Sequence, residues 1–258
     1  MIGLLVAFTV LFQTPAPRPA ITPDLLRAQQ HDRAGWTRID AKDFDGATRE
    51  FEAAVQIHPE YADALHGLGK AYMGLQRYDA AVRTFERCRD SYARKGTQDA
   101  EHRLLANRER EDQVRTLQRR LAGLEGSSAV TAPSPGAQSL SGNAEILEIK
   151  EQIRILRSQR EVGEIVGQPT PVPPFISLAL GSAYFRVGRL QDAEREFRDA
   201  LGVDPKFGEA HSNLALVCLL TGRASEADEH LRLAEEAKFH VNPELKRQVR
   251  AALGKSGV

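Results

Sequence analysis

Cysteine is nearly absent. The chain of 258 residues has two, Cys88 and Cys218, with no CxxC pair and no histidine beside either. That excludes a disulfide framework and a thiolate zinc site. Its seven histidines (His31, His58, His66, His102, His211, His230 and His240) stand singly, with no HExxH and no ligand spacing, so no metal and no cofactor is expected. Charge of one sign is missing as well: Lys+Arg 35 balance Asp+Glu 35, which leaves no electrostatic footprint for nucleic acid or an anionic membrane. No GxSxG elbow, dinucleotide turn or strand pattern occurs. Gly67-Leu68-Gly69-Lys70 lacks the four-residue spacer of a phosphate loop. Catalysis is therefore not expected, and the chain reads as no enzyme.

Aromatic content is 6%, whereas Ala, Leu, Arg and Glu are plentiful, a composition that favours helix. Long apolar runs are confined to the start. Ile2 to Phe12 has the length of a signal-peptide apolar region, too short to span a bilayer, and a Pro/Ala-rich stretch follows it. Residues 1–20 are expected to be an export signal or an N-terminal anchor, placing the protein in the periplasm or cell envelope. A frayed tail or misassigned start, with a cytoplasmic protein, is the alternative. No Lys or Arg precedes the run, and membrane contact is expected through this segment alone.

What the chain does have is a period. Gly35, Ala47 and Phe51 recur 34 residues later as Gly69, Ala81 and Phe85. Gly181, Ala193 and Phe197 recur at the same offset as Ala215, Ala227 and Leu231. Two antiparallel helices approach closely only where side chains are small, so Gly and Ala belong on the facing ridges and the large column fills the space beside them. Cys88 stands in an Ala column and Cys218 in a Tyr column, so both are expected to be buried small hydrophobes. Gly188 and Gly222 are expected to end first helices, and Ser225 with Asp228 to cap the helix after Gly222.

A 34-residue unit of two helices resembles the tetratricopeptide repeat. Leu180-Gly181, Tyr184, Ala193, Phe197, Ala200 and Pro205 match that pattern everywhere except the opening Trp, where Ser177 sits. Less complete units begin at Ala34-Gly35, Leu68-Gly69 and Leu214-Ala215. The resemblance implies an all-α helical-repeat solenoid of two repeat pairs, over residues 24–96 and 174–241, with residues 242–254 as a capping helix opened by Asn242-Pro243.

Gly69 and Gly181 lie 112 residues apart, ten more than three periods, so the pairs are not adjacent in sequence. Residues 97–162 read as a helical insert: a charged helix from near Thr97 to 125, a flexible loop over 126–143, and a second helix over 144–162. Val114, Leu117, Leu121 and Leu124, and then Ile146, Ile149, Ile153 and Leu156, give two short seams. An antiparallel coiled-coil hairpin and a degenerate repeat with lengthened helices both fit. Interleaved acids make the insert's arginines a solvated face. Residues 163–173 form a Pro-rich linker.

The resemblance also implies a non-catalytic interaction scaffold that binds a peptide or helix of another polypeptide in the groove lined by the first helices. Carried over position by position, that face holds Phe175, Leu178, Ser182, Phe185, Arg186, Glu209, Ser212, Asn213, Leu216, Leu219 and Leu220 in the later pair. In the earlier pair it holds Gln29, Asp32, Arg33, Trp36, Asp63, His66, Lys70 and Met73. A carboxylate clamp is not formed, since only Lys70 and Asn213 resemble it. The later face is apolar, which implies an occupant, either a partner or this chain's own hairpin or tail. A subunit of an envelope or secretion assembly that contacts its partner through the insert is the alternative function.

Overall fold

The computed structural model describes residues 22–130, 138–159 and 168–256. Every regular element in them is an α-helix: α1 (Pro23–Asp40), α2 (Phe44–Ile57), α3 (Ala62–Gly74), α4 (Tyr78–Val130), α5 (Gln138–Ser158), α6 (Pro174–Arg186), α7 (Leu190–Val203), α8 (Gly208–Leu220), α9 (Ala224–Glu236) and α10 (Pro243–Ser256). The chain divides between Thr84 and Phe85, inside α4, into two compact units. The residues of the expected signal or anchor lie outside those described, and no helix among the described residues is long and apolar enough to cross a membrane.

In the first unit the Thr22 hydroxyl caps α1 by accepting from Leu25 N at 3.2 Å, and Asp43 caps α2 by accepting from Gly46 N at 2.9 Å. The three helices close on Ala28, Ala47, Phe51, Ala54, Ala64 and Leu68. A methyl group on Gly35 would sit 2.6 Å from the Phe51 ring, and one on Gly67 closer still. The small column therefore seats a fully buried phenyl ring, whose burial is worth about 1.5–3 kcal/mol.

The second unit repeats the device. Phe197 is buried against Gly181, and Ala193, Ala200, Ala215, Ala227 and Ala234 are wholly buried. Cys88 and Cys218 are both buried, as their columns required. Leu245 and Val249 bury the inner stripe of α10, which packs on α9 and α8, with Val241 buried just ahead of it, and Asn242 Oδ1 accepts from Glu244 N at 2.9 Å to start it.

Three local expectations need correction. No helix begins near Thr97: α4 is continuous, and the Thr97 hydroxyl donates back to Ala93 O at 3.0 Å instead of capping. No proline interrupts the sequence from Tyr78 to Val130, and the first one beyond is Pro133. The loop expected over 126–143 is accordingly helical through Val130 and again from Gln138. Ser225 does not cap α9. That position belongs to Arg223, which makes no side-chain cap bond and whose guanidinium is held by Glu194 and Glu226.

Within the second unit, α4 near Phe85–Gly96 meets the later repeats directly. Tyr184 donates to Glu86 at 2.5 Å, and Arg89 donates to Glu196 at 2.7 Å. The segment entering α6 crosses the same stretch: Thr170 N donates to Gly96 O at 3.4 Å and Arg103 to Gln168 O at 2.9 Å. Gly96 is small because the Thr170 carbonyl lies where a side chain would begin. Beyond it α4 is tied to α5 by the Arg120–Glu145 and Lys150–Glu125 ion pairs. Ile149 and Ile153 are buried and the other seam residues half-buried.

Candidate functional site

On α1, residues 29, 32, 33 and 36 fall on one face, and on α3 residues 63, 66, 70 and 73 do the same. Trp36 is their centre. Its ring stands edge-on to Phe51 at 5.5 Å and lies 5.6 Å from the His66 ring, with Lys70 Nζ 5.3 Å over it. Burial, then the Lys70 charge, lowers the His66 imidazole to about 4, so it is neutral at physiological pH. Asp32 is 8% exposed; side-chain hydrogen bonds from Trp36 and Tyr61 reach its carboxylate, yet Oδ1 has no partner. Burial, reinforced by Asp63, raises its pKa, while burial and the same two carboxylates push the Tyr61 phenol to about 12. Gln29 and Met73 are half-buried, and Arg33, Asp63 and Lys70 are exposed.

The later face is apolar. Along α6 run Phe175, 44% exposed, then Leu178, Ser182, Phe185 and the exposed Arg186. Leu178 is a correction: at 9% exposure it belongs to the core and offers a partner little surface. Ser182 turns its hydroxyl back to Leu178 O at 2.8 Å. Along α8, Glu209 is exposed, Ser212, Asn213, Leu216 and Leu219 are half-buried, and Leu220 is 56% exposed. Helix α7 packs against both α6 and α8.

One pattern escaped the sequence reading. In three of the four repeats a polar residue stands where the opening Trp is missing and pairs with another 19 positions later, on the second helix of its own repeat; the second repeat has the buried Leu65 there. His31 Nδ1 lies 2.9 Å from Glu50 Oε2, and His211 Nδ1 lies 3.1 Å from His230 Nδ1. Ser177 hydrogen-bonds Glu196, a carboxyl 1% exposed whose pKa burial raises against the pull of Arg89. The signal was present as a shared 19-residue offset in phase with the 34-residue period; single histidines and glutamates do not display it. Among the described residues no group of three or more His, Cys, Asp or Glu is placed to hold a metal.

Family models of the tetratricopeptide repeat match residues 38–107 and 178–238. No curated relative matches the chain. Solved structures that resemble it include PilW, a widely conserved type IV pilus biogenesis factor, at 16% identity over 88% of this chain and 86% of that one, with a TM-score of 0.41. TTC0263, a thermophilic repeat protein of Thermus thermophilus, is 18% identical over 88% of this chain and 98% of its own, with a TM-score of 0.34. PilF of Pseudomonas aeruginosa is 12% identical over 91% and 88%, with a TM-score of 0.36. Likeness at this level carries no argument about function.

Proposed function

Because the chain belongs to the tetratricopeptide repeat family, we propose that it is a non-catalytic protein–protein interaction scaffold whose first helices receive a peptide or helix of another polypeptide. The observation that supports this is the apolar outer stripe of α6 and α8. Phe175 and Leu220 face water, and Phe185, Leu216 and Leu219 are only half covered, so a partner that buries them gains about 1.5–3 kcal/mol for each side chain fully removed from water. Leu216→Glu is expected to abolish partner capture with helicity retained. Val203→Glu, an equal change at an exposed residue of α7, is expected to leave capture intact. Equal capture by both variants would move the partner elsewhere, and loss of helicity in Leu216→Glu would make that residue core.

A second reading rests on the insert, where Leu105, Leu147 and Ile155 are exposed on the α4–α5 hairpin. Here the protein is an accessory subunit of a cell-envelope assembly that contacts its partner through these residues. A photo-crosslinking residue placed at Leu216 and, separately, at Leu147 of the full chain in its own cells separates the two readings. Export is part of this proposal and rests on the Ile2–Phe12 run. Cell fractionation tests it, and a cytoplasmic chain with intact Met1 overturns it.

A further inference from the structure

We infer that the groove between α4 and α5 receives an acidic amphipathic helix of a partner protein, whose carboxylates pair with Arg110 and Arg157 while its apolar stripe covers Val114 and Leu156. This rests on the second reading, in which the insert meets the partner, and names the face used and the chemistry recognised there.

Two open cavities lie between these helices, of about 440 and about 350 Å³, and Arg157 borders both. Along α4 their lining runs from Asn107 to Leu121, which at about 1.5 Å per residue is a trough of roughly 21 Å. That length suits about four turns of helix better than a compact small molecule. The floor is apolar: Val114, Leu121 and Leu156 are half-buried and Ile153 is buried. The rim is cationic, with Arg110, Arg115, Lys150, Arg154 and Arg157 against one carboxylate, Glu111, among the described lining residues. These cations are answered unequally. Arg115 pairs with Asp112 at 2.5 Å, Lys150 with Glu125 at 2.9 Å and Arg154 with Glu151 at 2.7 Å, all exposed pairs that hold their cations weakly. Arg110 and Arg157 have no carboxylate within 4 Å among the described residues. Arg110 is half-buried and uses only Nη1, on Asn107 Oδ1 at 3.4 Å, and the exposed Arg157 makes no hydrogen bond. Glu111 instead accepts from Asn107 Nδ2 at 3.2 Å. A guanidinium offers five donors in a fork that matches a carboxylate, so these two arginines are the unanswered charges of the trough. A helix with an acid on each side of an apolar stripe pairs both and takes the floor out of water in one step. Nucleic acid fits less well. No aromatic side chain among the described lining residues can stack a base, and the chain carries no net charge.

The experiment titrates the full chain into fluorescently labelled synthetic helical peptides of about four turns. All share one leucine stripe and carry Glu, Gln or Lys on both sides of it. The Glu peptide is expected to bind about tenfold or more tighter than the Lys peptide, and added salt should shrink the gap. That comparison needs no variant. Arg110→Gln combined with Arg157→Gln should remove the preference, whereas Arg119→Gln, at an exposed residue of α4 outside the lining, should keep it. Equal binding of the Glu and Lys peptides, or binding of neither, overturns the inference. So does a Glu preference that the double variant retains; if Leu216→Glu then abolishes it, the peptide sits on α6 and α8 and the scaffold reading stands alone. Displacement of the Glu peptide by a single-stranded oligonucleotide of matched length would make the trough a general anion site and overturns the inference too. A photo-crosslinking residue at Val114 should react with the Glu peptide. Reaction with residues 160–167 of the same chain instead would make the occupant internal, with the same consequence. In each of these cases a partner crosslinked at Leu147 in the protein's own cells would leave the second reading standing.

Discussion

After every first helix the chain turns through one residue of positive φ, and the two units fill that position differently. The first unit uses Lys42 (φ 59) and Gln76 (φ 58), while the second uses Gly188 (φ 79) and Gly222 (φ 78). All four occupy one column of the 34-residue period, and the bonds around them are the same. The next N–H returns to a carbonyl five residues back in each: Asp43 to Arg38, Arg77 to Tyr72 and Arg189 to Tyr184 at 2.9 Å, and Arg223 to Cys218 at 2.8 Å. Closing the helix end imposes the left-handed geometry, and glycine only relieves it. The polar interiors differ as well. The second unit buries Glu196 and answers it with Arg89, whereas the first sets the buried Asp32 and the half-buried His66 around Trp36.

That second contrast breaks most visibly at Arg89. Arg89→Ala leaves Glu196 as an uncompensated buried carboxyl, and the expected cost is about 4 kcal/mol at neutral pH. Hydrogen exchange should show the loss in α6–α7 with α1–α3 unchanged. Burial raises the Glu196 pKa, so the folded state binds a proton more readily than the unfolded chain does. Its stabilisation is therefore present at low pH and lost as pH rises through the folded pKa, and the Arg89→Ala defect should shrink on acidification. A defect that grows in acid would mean Glu196 is not its source.

The first unit should respond to acid in the opposite sense. His66 is lowered from 6.5 to about 4, so the unfolded chain takes up a proton that the folded chain refuses. Stability contributed by His66 is present above pH 6.5 and falls as pH drops towards 4, by about 2–3 kcal/mol. Asp32, with its raised pKa, works against that loss. Comparing His66→Phe with the parent across this range isolates the histidine: the variant should lose markedly less stability in acid.

Ala193 and Ala47 share a column, are each wholly buried, and are expected to respond alike. Leucine at either overpacks a helix crossing and should cost about 2 kcal/mol in thermal or denaturant melts. An unchanged melt for one of them would show that its unit does not use the close approach.

How much of this was legible follows from which physical requirement had a unique residue answer. Close approach permits only small side chains, so Gly35, Gly181, Ala47 and Ala193 announced the helix pairs, and Phe51 and Phe197 announced what fills them. Helix continuity had no such marker. Thr97 reads equally well as a cap or as a mid-helix residue bonding backwards, and only its hydroxyl bond to Ala93 O within the continuous α4 distinguishes the two. The site was half visible. Position within the repeat selected Asp32, Trp36, His66 and Lys70, but the orphan oxygen of Asp32 and the burial of Leu178 depend on neighbours from other helices. The 19-residue polar pairs were missed because His31–Glu50, Ser177–Glu196 and His211–His230 share an offset and no residue type.

The smallest expected effect tests the turn column from both sides. A side chain in left-handed backbone costs about 1–2 kcal/mol relative to glycine, partly offset because glycine loses more entropy on folding. Gln76→Gly and Lys42→Gly should therefore stabilise the first unit by roughly 0.5–1 kcal/mol. Gly188→Ala and Gly222→Ala should destabilise the second by about 1 kcal/mol, although a side chain at either glycine meets nothing within 4 Å. That open space matters, because it leaves backbone strain as the only cause and excludes a steric clash. Chemical denaturation followed separately in each unit, through Trp36 in the first and hydrogen exchange in the second, measures both signs. Destabilisation by Gln76→Gly would show that its side chain makes an interaction outweighing the strain. The two units would then differ at this column in energy as well as in residue.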